Sequence, residues 1–114
     1  EKKVITISTP GKNTVEISDD DKHIKLTDQN KNEIVMNSSG ISLSSAKDIT
    51  LKAKGAITIE ATSKINATAK QDVSLEGLNV KMEAKVSATV KGNAKAELLA
   101  SGQTTVKGAM VMIN

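Results

Sequence analysis

Phenylalanine, tyrosine and tryptophan are all absent from this sequence of 114 residues, and so are cysteine and arginine. A globular core of this length ordinarily draws on aromatic rings for bulk; without them, an interior too narrow to hold them is expected. The absence of cysteine excludes a disulfide framework and a thiolate metal site. The formal net charge is +3, yet with no arginine and no aromatic stacking platform nothing resembles a nucleic-acid recognition surface, and no nucleic-acid partner is expected. No run of about 18 apolar residues suggests a membrane-spanning helix, and no secretory signal pattern opens the chain. The first residue is Glu1, so the chain is expected to be a piece of a longer protein.

Catalytic groupings are also lacking. There is one histidine, His23, and serines such as Ser44 and Ser45 have no base close in sequence. The glycines at 40, 55, 77, 92, 102 and 108 are spaced as corner residues and form no phosphate-binding loop. A non-enzymatic chain is expected. Asp19, Asp20, Asp21 and His23 are the one group that could suggest a metal site. A solvated turn, in which the aspartates accept local backbone N–H groups, accounts for them more simply, and no metal is assigned.

What is present is a repeat. Apolar pairs separated by one residue recur every eight positions: Ile41 and Leu43, Ile49 and Leu51, Ile57 and Ile59, Ile65 and Ala67, Val73 and Leu75. One step is seven, after which Val80 and Met82, Ala88 and Val90, Ala96 and Leu98, and Thr104 and Val106 return to eight, with Met112 opening another repeat. From Thr50 to Glu76 every even position is polar except Ala56, and the odd positions carry Ile, Leu, Val, Ala or Gly apart from Ser63 and Gln71. Strict alternation of this kind is the pattern of a half-buried strand.

Repeats of about eight residues bury their apolar face only by stacking on neighbours. Three faces must close around an axis, supplied either by three successive octads of one chain or by one octad from each of three chains. The second arrangement is an intertwined homotrimer, an all-β triple-stranded β-helix or β-prism with octapeptide repeats. Its core would hold the large anchors named above together with Leu78 and Val86, while Ala and Gly fill the places where a triangular section narrows. The seven-residue step moves the inward parity from odd to even positions. Gly77 is the expected place for this register slip, because glycine tolerates a bulge or a sharp corner.

Residues 1–40 are expected to be entry strands or a collar, and 41–114 the repeat shaft. Short strands are predicted at Val4–Ser8, Thr14–Ser18, His23–Thr27 and Glu33–Asn37, separated by polar turns that include Pro10-Gly11. Residues 1–47 carry seven lysines and seven acids, whereas 48–114 carry nine lysines and six acids. The excess lysines fall on the outward parity, as on an aggregation-resistant sheet surface. At the end of the chain the alternation fails: Ala109, Met110, Val111, Met112 and Ile113 are apolar on both parities. An apolar patch at a defined place marks a docking surface; the alternative is that these side chains only plug the end of the prism.

The segments Asn37–Leu43, Asp48–Ala61 and above all the ending Ala100–Asn114 resemble the C-terminal spike of VgrG, the valine-glycine-repeat protein of type VI secretion systems. That spike is related to those of contractile phage tails and extracellular injection particles. The resemblance covers nearly the whole chain and implies a homotrimeric triple-stranded β-helix that punctures membranes. It also implies a seat for a PAAR-repeat tip protein with effector cargo at Ala109, Met110, Val111, Met112, Ile113 and Asn114, and a tail tube reached through N-terminal domains outside this chain. Assembly in the bacterial cytoplasm, followed by secretion or delivery into a target cell with transient membrane contact, would follow. No cofactor is implied, although such prisms have room for lumenal ions, water or a lipid-like molecule near Ser63 and Gln71. A monomeric β-solenoid adhesin or binding scaffold is the alternative. A polysaccharide-processing β-helix would want clustered carboxylates, and Glu60, Asp72, Glu76 and Glu83 are scattered.

Overall fold

A computed structural model describes residues 3–114, and its described strands are all β with no helix. The chain forms two compact units, Glu1–Ile65 and Asn66–Asn114. The first contains a five-stranded antiparallel meander: β1 (Val4–Ser8), β2 (Thr14–Ser18), β3 (His23–Thr27), β4 (Glu33–Asn37) and β5 (Gly40–Ser44), in spatial order β1-β2-β3-β4-β5. Four of these strands are those predicted from the alternation of Val, Ile and Leu with polar residues. Ile41 and Leu43, the first apolar pair of the repeat, lie in β5 and pair with Met36 and Ile34.

The register gathers the apolar residues on one face. Ile5, Ile17, Ile24, Met36 and Ile41 form one cross-strand row, and Ile7, Val15, Leu26, Ile34 and Leu43 form a second. Pairs of this kind are the unit of sheet stabilisation. The opposite face carries Thr6, Glu16, Lys25, Val35 and Ser42 in register. There the His23 ring contacts the Glu16 carboxylate, and Lys25 Nζ lies 3.7 Å from Glu33 Oε2.

Three of the connecting turns hold a lysine in the left-handed region: Lys12 (φ 70°), Lys22 (φ 54°) and Lys31 (φ 70°). The β1–β2 and β3–β4 turns share one construction. Lys12 N–H donates to the Thr9 carbonyl (2.9 Å) and Lys31 N–H to the Asp28 carbonyl (3.2 Å). The β4–β5 turn instead has Gly40 at φ 123°, which suits a residue with no Cβ. A left-handed lysine costs about 1–2 kcal/mol that glycine does not incur. Part of this returns as the greater entropy that glycine loses on folding. Lys31→Gly is therefore expected to stabilise the protein by about 1 kcal/mol or less, seen as a higher thermal midpoint at fixed protein concentration. An unchanged or lower midpoint would show that the lysine is not strained.

Beyond β5 the chain runs in extended segments between bends at 46–47, 54–55, 62–63, 70–71, 78–79, 85–86, 93–94, 101–102 and 109. Among the described residues past Ser45, no backbone–backbone hydrogen bond is made within the chain. These segments have the strand pattern but no partner strand in their own chain. Their backbone N–H and C=O groups are open to solvent in one chain and would need partners wherever they became covered.

Candidate functional site

No hydrophobic side chain among the described residues is buried, and Ser18, at 3% exposure, is the one buried polar residue. Even central residues of the meander's apolar face stay open, with Ile24 and Met36 each 37% exposed. The accessible surface is 11994 Å². A compact chain of this mass would show roughly 6,000 Å². Nearly half of what is exposed is therefore surface that a folded monomer of this size would have covered.

The predicted anchors lie on this open surface. Ile49 joins Ile7, Val15, Leu26, Ile34 and Leu43 around a groove of about 550 Å³ on the meander's apolar side. Ile57 and Val80 are about half exposed and Leu51, Ile59, Ile65, Val73, Leu75, Met82, Val90, Leu98 and Val106 more so. Leu78 and Val86 sit at bends and are 99% and 97% exposed, so they stand apart from the anchors between bends. Gly77 precedes the bend at 78–79, where a Cβ would lie 3.3 Å from the Asn79 carbonyl oxygen. At the chain end Ala109 marks the last bend, and Met110, Val111, Met112 and Ile113 are all exposed.

The Asp19–His23 region is used internally. Asp20 Oδ2 accepts the Lys3 N–H at 3.0 Å, the Asp21 N–H donates to Ser18 Oγ at 3.0 Å, and His23 faces Glu16. Among the described residues no group of three or more His, Cys, Asp or Glu could hold a metal ion.

Pattern reading missed a polar clamp where β5 ends. Asn13 Oδ1 accepts the Gln29 N–H at 2.9 Å, which ties the β1–β2 turn to the β3–β4 turn. Asp28 Oδ1 accepts the N–H groups of Asn30 and Asn32, both at 2.9 Å, while its Oδ2 accepts from the two side-chain amides. Asn32 Oδ1 then accepts the Ala46 N–H at 3.0 Å, and the Ser45 hydroxyl is shared between that oxygen at 3.1 Å and the Asp48 carbonyl at 3.0 Å. The exit from β5 is thus held by a turn many residues earlier. The spacing Asp28-x-Asn30-x-Asn32 was the available signal, since Asp and Asn in a turn satisfy nearby backbone donors.

Hydrogen bonds from the backbone and side-chain amides of Asn32, with smaller ones from Asn30, hold the Asp28 carboxyl below its ordinary value of 3.8. Because the folded value is the lower one, this stabilisation is complete above the ordinary carboxylate range and is lost as pH falls through the folded value. Asp28→Ala is expected to lower the thermal midpoint at neutral pH and to flatten its decline below about pH 4. An acid profile identical to that of the parent would show that Asp28 takes no part in it.

Residues 4–114 match the family described as the phage baseplate V C-terminal trimerisation domain. The chain belongs to that family. No curated protein matches it. Membership of a trimerisation family means that the chain assembles with two further copies, which are available to cover the apolar surface that one copy leaves open. The phage baseplate V-like domain is a structural component of a phage-tail-like spike and forms a homotrimer.

Proposed function

We propose that this baseplate V-like domain is the shaft of a membrane-puncturing spike of the VgrG kind in a type VI secretion system. In this reading the three meander sheets turn their apolar faces toward a common axis. The segments between bends wind with those of two other copies into a triple-stranded β-helix. The observation that carries the reading is that residues past Ser45 have the alternation of strands but no backbone hydrogen bonds within their own chain. A monomeric solenoid would cover its own apolar face, and among the described residues no large apolar side chain is buried.

Such a shaft transmits force and does no chemistry, so no catalytic role is proposed. Interwoven chains resist axial load because no strand can leave without breaking hydrogen bonds to two others, and closure removes free sheet edges. The bend interval of eight along most of the chain suits one repeat per prism face. The apolar end would seat a PAAR-repeat protein that sharpens the tip and carries an effector. The spike would assemble in the bacterial cytoplasm and then be driven out of the cell or into a target.

Amide hydrogen exchange on the trimer tests the winding. Alternating slow-exchanging amides are expected along residues 49–113, with protection comparable to that of the meander. Rapid exchange past Ser45 in a particle of trimer mass would mean that three meanders associate while the repeats stay unpaired, and would overturn the helix.

A further inference from the structure

We infer that the shortened step at Leu78–Val80 is a register key, a feature that lets three copies of this chain align at one axial level only. The inference rests on the three-chain helix proposed above.

A uniform array of octads is degenerate. Within the repeat, sliding one chain by eight residues past its partners would re-form every anchor contact except those at the ends, so uniform octads would by themselves separate the correct alignment little from its neighbours. The backbone departs from uniformity once. Bends begin at intervals of eight from Ala46 to Leu78 and again from Lys85 to Ala109, but the interval from Leu78 to Lys85 is seven. From Ala46, Lys54, Thr62 and Lys70 the following anchor is three residues on, at Ile49, Ile57, Ile65 and Val73; from Leu78 it is two, at Val80. The residue is missing between bend and anchor. Gly77 leaves the space this path needs, since a Cβ there would crowd the Asn79 carbonyl at 3.3 Å.

The consequence follows from the two-residue period of a strand. A one-residue change in pairing turns every side chain to the other face. When all three chains make the step at the same level, the change is shared and the anchors remain inward. In a chain displaced by one octad, the stretch between its own step and its partners' is paired one residue out of phase. That turns Lys81 and Glu83, an exposed ion pair at 3.0 Å, toward the axis, or else breaks the backbone pairing over that stretch. The meander's strands pair within one chain, so its hydrogen bonds carry no alignment between chains, and only the packing of its apolar face would add to the check.

The test uses this chain with Lys107→Cys carrying a spin label, and two length variants. Inserting one alanine between Leu78 and Asn79 makes the bends uniformly eight apart. The second variant adds deletion of Asn93, which moves the seven-residue step toward the C-terminus. The parent is expected to give one narrow inter-label distance and the insertion variant several. The moved-step variant is expected to return to one. A single narrow distance in the insertion variant would overturn the key. Should that variant not trimerise, parent and moved-step chains are refolded together: homotrimers alone support the key, and mixed trimers in binomial proportions overturn it. A parent of single-chain mass would instead defeat the trimer reading, which separates the two failures.

Discussion

Ile57→Asp is expected to leave the chain at a solution mass near 12.0 kDa, where the parent sediments near three times that value. Ile57 is 49% exposed in one chain, among the lower values for the large apolar residues of the repeat, and it lies two residues past the bend at 54–55. On assembly three copies would meet near one axis. Removing each isoleucine forfeits about 1.5–3 kcal/mol of burial. The larger effect is the charge: three unpaired carboxylates would lose their hydration together, at several kcal/mol each. No lysine shares the inward parity in this stretch to pair with them. Thr58→Asp, one residue away on the other parity, is the control and should trimerise normally. A normal trimer from Ile57→Asp, or equal damage from Thr58→Asp, would contradict the inward assignment.

Val111→Lys combined with Ile113→Lys is expected to leave the trimer mass unchanged while weakening binding of a PAAR-repeat partner by at least about a hundredfold. Both residues are exposed at the chain end, where the alternation that runs through the repeat gives way to apolar residues on both parities. Three copies would place six ammonium groups on the docking platform. Each lost apolar contact is worth about 1.5–3 kcal/mol if fully buried, and each 1.4 kcal/mol is about a tenfold change in affinity. Calorimetric titration with the partner checks the binding, and sedimentation checks the assembly. Unchanged affinity would remove the tip assignment. Loss of the trimer would show that these side chains close the end of the shaft and do not serve as a seat.

The polar clamp and the strained lysines bear on a different stage of the protein's life. The meander pairs neighbours through short turns, so its strand pairing is made entirely within one chain. The bonds from Asn32 to Ala46 and Ser45 then hold the start of the repeat in a defined place. Residues past Ser45 gain nothing comparable until partner chains arrive.

The sequence by itself determined where the first four strands of the meander lie and which parity is apolar, because both follow from a two-residue period that can be counted along the chain. Thus Val4–Ser8, Thr14–Ser18, His23–Thr27 and Glu33–Asn37 were predictable from their own side chains, as was the change of parity near Gly77. Pairing is not periodic, and only the tertiary structure decided it. Ile41 and Leu43 share the octad pattern of Ile49 and Leu51, yet the two-residue turn at Ser38-Ser39, with Gly40 left-handed beyond it, folds them back against Ile34 and Met36 as β5. Lys12, Lys22 and Lys31 took left-handed positions that composition would assign to glycine or asparagine, since turn geometry is imposed by the strands on either side. The clamp from Asn32 to Ala46 joins residues far apart in sequence. No local pattern records that distance; it exists only once the hairpins have closed.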